Sequence, residues 1–325
     1  MAPTNLLRVR VARKVQEAEG ICSLDLVPED GTALPAFTAG AHVELQLPFV
    51  RAGLARPYSL CNSPSEMHRY QIAVLREPAS RGGSQAVHDQ VQEGMVLEIR
   101  PPKNQFALAP QARQHLLLAG GIGVTPLLSM AEALSAAGAD FALHYAVRSP
   151  ERLAFAQRLA AAPYAQRVHV HVDTGPVDQR LDLEALLVAP LAGRHVYVCG
   201  PVGFMDAALA AAARAAWAPD HVHLERFGAE PATQAGDGSF EVQLASSGRI
   251  IPVCADQSVL QALCAAGVEL PSSCEQGICG TCLTRIVSGV PDHRDQYLLP
   301  EEQAANDQFL PCCSRACSPR LVLDL

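Results

Sequence analysis

Several features typical of membrane, secreted and nucleic-acid-binding proteins are missing from this sequence. No apolar run approaches the ~20 residues that a helix needs to cross a bilayer. Residues 1–14 lack the apolar core and the small-residue cleavage site of a secretory signal. No strongly basic stretch occurs, and the formal net charge of −8 disfavours nucleic acid and anionic lipid as partners. We therefore expect a cytoplasmic protein that binds neither nucleic acid nor a membrane.

Cysteine, by contrast, is abundant, with eleven residues in a chain of 325. An odd number of cysteines without a secretory signal argues against a disulfide framework. Six of the eleven lie between residues 274 and 317, and clustered thiols in a reducing compartment indicate a metal centre. Four others lie singly or in apolar surroundings and are predicted to be small buried hydrophobic residues: Cys22, Cys61, Cys254 and Cys264.

The sequence pattern changes along the chain and predicts a multidomain protein. Residues 1–108 contain short, closely spaced β runs separated by turn residues, which favour a small antiparallel barrel. In residues 109–229 strand and helix patterns alternate, which predicts a parallel sheet with helices on both faces. Residues 230–239 have the Pro, Gly and Ser content of an exposed linker. Residues 240–325 begin with a predicted hairpin and a short helix, which precede the cysteine-rich segment.

The strongest motif is the cysteine spacing in PSSCEQGICGTCLTRIVSG. The pattern C-x4-C-x2-C is that of plant-type [2Fe–2S] proteins, whose fourth thiolate comes from a distant point of the chain. Glycines between the cysteines let backbone N–H groups approach the sulfurs, where hydrogen bonds help set the potential. The predicted cluster ligands are Cys274, Cys279, Cys282 and Cys312.

The fourth ligand is the open part of this prediction. Cys312 follows Cys282 after 29 intervening residues, and Cys313 is its direct neighbour. Cys317 is expected to be a bystander. The alternatives to a cluster are idle thiols or a zinc site, although structural zinc sites prefer two separated C-x2-4-C pairs and only one is present here.

A glycine-rich loop lies between a buried strand pattern and a helix pattern in the middle of the chain. In AGGIGVTP, Gly120, Gly121 and Gly123 precede Thr125 and Pro126, and proline suits the first turn of a helix. Backbone amides at a helix N-terminus hold pyrophosphate, so nucleotide binding is one interpretation. A tight turn without a ligand is the other, since the last glycine of the G-x-G-x-x-G fingerprint is replaced by proline.

A second segment strengthens the nucleotide interpretation. The run VCGP ends another predicted parallel strand, at the carboxyl edge where such sheets bind ligands. Its residues assigned to the nucleotide site are Cys199, Gly200 and Pro201.

Two segments of the first 108 residues suit an anion and an aromatic ring. In RPYS, Arg56 is suited to pair with a phosphate, and Tyr58 offers an aromatic face and a hydroxyl. In SRGGS, Gly82 and Gly83 lead to Ser84, which is predicted to N-cap a short helix. The alternatives are an edge strand for the first segment and a solvated loop for the second.

Together these segments resemble the phthalate dioxygenase reductase family, which includes the reductases of vanillate O-demethylases and related Rieske oxygenases. The resemblance covers essentially the whole chain and is especially close in VPDHRDQYLLPEEQAANDQFLPCCSRA. It implies a flavin domain that is an antiparallel barrel, a ferredoxin reductase-like α/β nicotinamide domain, and an α+β ferredoxin domain of the β-grasp type. The residues that it implies for FMN are Arg56, Pro57, Tyr58, Ser59, Gly82, Gly83 and Ser84.

The same resemblance implies a function. Hydride passes from NADH to FMN, and single electrons then pass through the [2Fe–2S] cluster to a partner Rieske-type oxygenase. Nicotinamide gives two electrons and the cluster takes one at a time, so a flavin, which does both, must stand between them. Two other hypotheses stay open: a stand-alone flavin and iron–sulfur reductase of a small molecule, and a non-enzymatic iron–sulfur or zinc-binding regulator.

The remaining assignments concern the nicotinamide. Asp173 ends the predicted strand VHVHVD, where its carboxylate would accept hydrogen bonds from a ribose and repel a 2′-phosphate, which favours NADH. Arg148 argues the opposite way, because an arginine accommodates that phosphate. Phe227 is interpreted as packing near the flavin or as filling a domain junction. The residues assigned to catalysis are Thr125, Cys199 and Glu225.

Overall fold

The computed structural model describes residues 6–50, 54–78, 82–227, 234, 236–272, 275, 277, 280–295 and 297–325. The chain divides into two compact units, one of residues 1–52 and 56–227 and one of residues 53–55 and 228–325. The boundary near residue 108 is a finer division that stays a prediction. None of the helices within the described residues has both the length and the apolar composition needed to span a bilayer.

The first unit begins with a seven-stranded antiparallel sheet. Its strands are β1 (Leu7–Ala18), β2 (Ile21–Pro28), β3 (Ala41–Gln46), β4 (Ala55–Ser59), β5 (Tyr70–Leu75), β6 (Val96–Ile99) and β7 (Lys103–Asn104), and helix α1 (Gly83–Asp89) follows β5. The strand order is β4-β3-β6-β1-β2-β5, with β7 paired to β3. An antiparallel bridge between Leu60 and Ile72 joins the end of β4 to β5 and closes the predicted barrel.

The pattern of buried and exposed residues along each strand explains which strands can be predicted from the sequence. In β1, Val9 and Val11 are buried while Arg8 and Arg10 are exposed. The sequence therefore shows the alternation of apolar and polar residues that is typical of a half-buried strand. Strand β2 was not predicted. Its first four residues are all buried, and a strand covered on both faces lacks that alternation.

The second half of this unit is a five-stranded parallel sheet with helices on both faces, as predicted. Its elements are β8 (Gln114–Gly120), α2 (Val124–Ala136), β9 (Asp140–Val147), α3 (Ala156–Ala161), β10 (Val168–Val172), α4 (Leu183–Leu186), β11 (Arg194–Cys199), α5 (Val202–Arg214) and β12 (Val222–Glu225). The strand order is β10-β9-β8-β11-β12. The sequence RSPERLAFAQRLAAA has a helical pattern throughout, but Phe155 is buried with a φ of 60°, and α3 begins only after it.

The barrel and the parallel sheet share one hydrophobic core. Ile21, Cys61 and Ala73 of the barrel belong to the same buried cluster as Leu127 of α2 and Tyr145 of β9. A separate cluster covers the opposite face of the parallel sheet beneath α5. The sheet is therefore sandwiched between helices, and one of its faces is continuous with the barrel interior.

The second unit has the predicted β-grasp arrangement. Its elements are β13 (Phe240–Leu244), β14 (Ile250–Val253), α6 (Val259–Ala265), β15 (Thr284–Ser288), β16 (Pro291–Asp292), α7 (Pro300–Ala305), β17 (Gln308–Phe309), β18 (Arg315–Ala316) and β19 (Arg320–Leu323). The sheet order is β14-β13-β19-β15-β17, with β13 and β19 parallel. Ser258 and Gln261 form a capping box that begins α6, and α6 packs on the sheet through Val259 and Leu263.

Two of the four scattered cysteines differ from the prediction. Cys22 and Cys61 are buried, as expected, but Cys254 and Cys264 are exposed. Cys254 follows β14 directly, where the chain leaves the sheet. Cys264 lies on α6, whose buried face is made of Val259, Leu260, Ala262 and Leu263 instead.

The end of the predicted linker is fixed to the second unit. Asp237 accepts hydrogen bonds from both terminal nitrogens of Arg294, at 2.9 and 2.6 Å. It also forms an ion pair of 3.3 Å with the Nε of Arg315. The hydrogen bonds from Arg294 hold the pKa of Asp237 at about 2. Residues 230–233 and 235 of the linker lie outside the described residues. We call the three paired side chains the Asp237 clamp.

Candidate functional site

The two glycine-containing loops of the parallel sheet meet at its carboxyl edge. Gly120 ends β8 and Cys199 ends β11, and these two strands are neighbours. From β8 the chain proceeds to β9 and β10 on one side, whereas β12 lies beyond β11 on the other. Open parallel sheets bind ligands in the crevice at such a reversal of strand order. The sequence-predicted nucleotide segments therefore border one crevice.

The loops approach each other so closely that side chains are excluded. A Cβ atom on Gly123 would lie 2.2 Å from the carbonyl oxygen of Cys199, and one on Gly200 would lie 2.9 Å from the Cα of Gly120. Gly121 has a φ of +53°, which also favours glycine. Gly123 and Gly200 are thus required by the close packing of the loops, and Gly121 is favoured by its backbone conformation.

Thr125 and Pro126 lie buried in the first turn of α2. The hydroxyl of Thr125 donates a hydrogen bond of 3.0 Å to the carbonyl oxygen of Ile122. This bond fixes the glycine loop to the start of the helix. In this conformation the Thr125 proton is committed to the backbone, so its observed role is to hold the loop.

Three predicted residues from distant parts of the sequence come together beside the crevice. Ser59, at the end of β4, donates a hydrogen bond of 3.3 Å to Glu225, the last residue of β12. Cys199 pairs with Glu225 in the parallel register, so the two side chains share one face of the sheet. Phe227 follows two residues later and is partly exposed.

This meeting point is largely uncharged at neutral pH. Burial raises the pKa of Glu225 to about 8, and the hydrogen bond from Ser59 offsets only part of that rise. Burial and then the neighbouring Glu225 raise the pKa of the Cys199 thiol well above its usual range. Both side chains are therefore mostly protonated near pH 7.

The barrel segments RPYS and GGS also lie side by side. Arg56 is buried, and a Cβ atom on Gly83 would lie 3.0 Å from its Cγ and 3.3 Å from its Nε. Gly82, with a φ of +99°, precedes the first residue of α1. Burial raises the pKa of Tyr58, which keeps its hydroxyl protonated. Residues 79–81 of the same loop lie outside the described residues.

The predicted cap of this helix is wrong. The N-cap residue of α1 is Gly82, and the hydroxyl of Ser84 instead accepts a hydrogen bond of 3.1 Å from the backbone N–H of Glu77. The left-handed conformation at Gly82 turns the chain into the helix two residues earlier than the sequence suggests. Ser84 therefore fastens the loop to Glu77, two residues after the end of β5.

One residue important for this loop was missed by sequence reasoning. The ammonium group of Lys14 donates three hydrogen bonds of 2.7 to 2.9 Å to the carbonyl oxygens of Val87, His88 and Val91, at the C-terminal end of α1. Carbonyls at that end have no partners within the helix. Lys14 lies more than seventy residues away in the sequence, so no local pattern reveals it.

Arg148 and Asp173, whose charges have opposite effects on the choice between NADH and NADPH, lie next to each other. Arg148 follows β9 and Asp173 follows β10, and these strands are adjacent and parallel. The N–H of Asp173 donates to the carbonyl oxygen of Val147 at 3.0 Å, and that of Thr174 donates to Arg148 at 3.1 Å. Both side chains are exposed at the same edge as the crevice.

Two of the predicted cluster ligands lie in a common apolar shell. Cys282 and Cys312 are 4% and 5% exposed and pack with Leu260, Leu298 and Leu310. Cys274 and Cys279 lie outside the described residues. Within the described residues, no group of three or more His, Cys, Asp or Glu side chains has the geometry to hold a metal ion.

The structure distinguishes Cys312 from Cys313. The backbone N–H of Gly277, in the cysteine loop, donates a 3.3 Å hydrogen bond to the sulfur of Cys312. The sulfur of Cys313 instead packs behind Gly277, 2.5 Å from where a Cβ atom would lie, and donates to Leu310 at 3.7 Å. Cys317 is exposed. An N–H directed at the sulfur of Cys312 suits a thiolate bound to a cluster.

Comparisons with known proteins cover the whole chain. Residues 242–317 match the family model of the 2Fe-2S iron-sulfur cluster binding domain, and residues 95–222 match that of the dimethylamine monooxygenase subunit DmmA-like N-terminal domain. The chain is 52% identical over 308 residues to vanillate O-demethylase oxidoreductase of Pseudomonas sp. (strain HR199 / DSM 7063), which covers 95% of this chain and 96% of that protein. It is 40% identical over 320 residues to phthalate dioxygenase reductase of Burkholderia cepacia, at 98% and 97% coverage.

Comparison of the fold with solved structures also finds phthalate dioxygenase reductase. A solved structure of phthalate dioxygenase reductase, described as a modular structure for electron transfer from pyridine nucleotides to [2Fe–2S], matches with a TM-score of 0.76. The identity is 39%, and the match covers 99% of this chain and 98% of that chain.

Proposed function

The chain belongs to the family of oxygenase reductases that includes vanillate O-demethylase oxidoreductase and phthalate dioxygenase reductase, and from that premise we propose that it oxidises NADH through FMN and delivers single electrons to a Rieske-type oxygenase. It is thus an oxidoreductase with a 2Fe-2S domain. The observation that carries the proposal is the meeting of Ser59, Cys199 and Glu225, which joins the barrel to the carboxyl edge of the parallel sheet.

The barrel residues fit FMN. When bound, FMN accepts a hydride and releases electrons singly. Arg56 would pair with its phosphate, and Gly83, which has no Cβ atom, lets the backbone lie against that guanidinium. Pro57, Tyr58 and Ser59 continue the same strand towards Glu225. Lys14 positions α1, and with it the Gly82–Gly83 turn.

Replacing Arg56 with alanine is expected to weaken FMN binding by about tenfold or more. The change removes a charge-assisted hydrogen bond worth roughly 1.5–3 kcal/mol, and each 1.4 kcal/mol is about tenfold in Kd. Fluorescence titration of the flavin-free protein measures the change. Arg10→Ala, at an exposed position of the same barrel, is the matched control and should leave the Kd unchanged. Release of FAD from the denatured protein would show that the assigned flavin is wrong.

The crevice residues fit a nicotinamide. Gly120, Gly121, Gly123, Gly200 and Pro201 shape its two walls, and Thr125 holds one wall in place. Cys199 and Glu225 present uncharged groups there, because burial keeps both protonated. A site without fixed charge holds the neutral nicotinamide ring of NADH without stabilising the charged ring of the product. Phe227 would close the flavin side of the site.

NADH is expected to give a higher kcat/KM than NADPH, because the Asp173 carboxylate repels a 2′-phosphate. Asp173→Asn should narrow the ratio by about fivefold, from roughly 1 kcal/mol of repulsion per charge pair across a few ångströms of water. Asp178→Asn, also exposed, is the control. Steady-state kinetics with both nucleotides measures the ratio. Equal efficiencies in the unchanged protein would contradict the proposed role of Asp173.

The cysteine-rich segment fits a [2Fe–2S] cluster with Cys274, Cys279, Cys282 and Cys312 as ligands. The apolar shell around Cys282 and Cys312 excludes water from that side. The N–H of Gly277 is placed to stabilise the charge on the Cys312 sulfur. The acceptor that we propose is the oxygenase component of a vanillate O-demethylase, in line with the 52% identity.

The visible spectrum tests the proposal. The purified protein should show flavin and iron–sulfur absorption, and anaerobic NADH should bleach the flavin before or together with the cluster in stopped flow. Addition of the oxygenase and vanillate, with O2 as the terminal oxidant, should then reoxidise both faster than O2 alone. A protein without flavin absorption would be the regulator considered above, and hydroxylated or demethylated product from this chain alone would identify a stand-alone enzyme.

A further inference from the structure

Three apolar side chains are exposed at the surface beside the cluster shell. Leu283, Tyr297 and Leu299 are 38%, 38% and 63% exposed, and we call them the Tyr297 patch. Leu298, between two of them, is 6% exposed and packs with Cys282 and Cys312. Its two neighbours therefore emerge at the surface one residue away from the shell that surrounds the sulfurs.

The patch is held directly against the cysteine loop. The ring of Tyr297 lies over Gly280, where a Cβ atom would come within 2.2 Å of it. The N–H of Leu283 donates a hydrogen bond of 3.0 Å to the carbonyl oxygen of the same glycine. Gly280 lies between the predicted ligands Cys279 and Cys282. The patch thus contacts the described part of the cysteine loop, at Gly280, and includes the direct sequence neighbour of Cys282.

The domain that carries the patch is negatively charged, and the exposed Arg285, two residues from Leu283, is the cation nearest to it in the sequence. Residues 240–325 contain ten Asp and Glu against five Arg and no Lys, and Arg294 and Arg315 are paired with Asp237 in the Asp237 clamp. Glu301 and Glu302 are exposed in the first turn of α7, which begins at Pro300, directly after Leu299. An apolar centre with an acidic rim is complementary to an apolar surface rimmed by lysine and arginine.

We propose that the Tyr297 patch is the docking surface for the terminal oxygenase, which presents to it an apolar depression with a basic rim. This inference rests on the proposed function. Residues 1–239 of this chain are a less suitable partner for the acidic rim, because they have no excess of positive charge. They hold 20 Lys and Arg against 23 Asp and Glu. A charged rim steers the encounter, while the apolar centre, next to Cys282, places the acceptor close to the electron donor.

The test is the double variant Leu283→Ser/Leu299→Ser in oxygenase-coupled NADH oxidation with the oxygenase of a vanillate O-demethylase. The KM for the oxygenase should rise about tenfold or more, as for two interface anchors. NADH oxidation with a dye, iron content and NADH-driven bleaching of the cluster should stay unchanged. Ile250→Ser is the matched control, because Ile250 is also exposed but lies on β14, at the opposite edge of the sheet.

A second variant tests the rim. Salt should raise the KM of the unchanged protein, and Glu301→Gln should weaken that salt dependence. An unchanged KM in the double variant overturns the proposal, as does slower bleaching of the cluster by NADH, which would assign the patch to the flavin side of this chain. If the unchanged protein binds flavin and cluster yet drives no oxygenase, the proposed function itself fails.

Discussion

Replacing Cys312 with serine is expected to reduce the iron content from two atoms per chain to near zero. A plant-type cluster needs four thiolates, and the only predicted ligands other than Cys312 are the three of the C-x4-C-x2-C loop. The N–H of Gly277 that is directed at the Cys312 sulfur supports its selection. Iron and acid-labile sulfide analysis, together with the visible spectrum, measures the loss.

The neighbouring cysteines provide matched controls for this variant. Cys317→Ser changes an exposed thiol and should leave two irons and two sulfides per chain. Cys313→Ser keeps a small side chain behind Gly277 and should also retain the cluster, with at most a shifted spectrum. Loss of iron in Cys313→Ser with retention in Cys312→Ser would reverse the assignment. Stoichiometric zinc without iron in the unchanged protein would exclude the cluster.

A chain that ends at Phe227 is expected to lose all electron delivery to the oxygenase and to cytochrome c, and to keep NADH oxidation with a dye. The first compact unit ends there and contains its own buried clusters on both faces of the parallel sheet, so it should fold and bind FMN. The oxygenase and cytochrome c take one electron at a time, and the outlet that supplies it lies in the removed part. Coupled turnover should therefore fall to the background rate.

The complementary experiment uses the full chain without its flavin. NADH should then leave the cluster oxidised, because only the flavin accepts a hydride. Normal reduction of the cluster in the flavin-free chain would show that the proposed order of electron transfer is wrong. Full oxygenase activity of the chain that ends at Phe227 would show that the 2Fe-2S domain is not the outlet.

The sequence predicts those parts of the fold that depend on local patterns. Alternation in β1, the apolar run of β8 and the cysteine spacing each reveal their element or motif directly, because neighbouring residues determine them. The doubly buried β2 shows no alternation. The break at Phe155 arises from burial of its ring against the parallel sheet, which overrides the helical preference of the residues around it.

Local sequence patterns do not predict contacts between residues that are distant in the sequence. The bond from Ser59 to Glu225 spans 166 residues, and the bonds from Lys14 to α1 span more than seventy. The resemblance to a known family implies a role for Ser59, and Glu225 is assigned separately to the nicotinamide site, but neither assignment predicts the bond between them. Ser84 illustrates the converse, since a good capping residue was displaced by the left-handed glycine before it.

The core that Ile21, Cys61 and Ala73 share with Leu127 and Tyr145 has a thermodynamic consequence. Neither the barrel nor the parallel sheet can expose its part of this shared cluster without exposing that of the other, so we expect the two to unfold in a single cooperative transition. The chain then has two cooperative folding units, whereas the proposed function has three steps: hydride transfer to FMN, electron transfer to the cluster and electron transfer to the oxygenase. A core substitution such as Leu127→Ala would lower the stability of the flavin site and the nicotinamide site together, while the 2Fe-2S domain would retain its own melting transition.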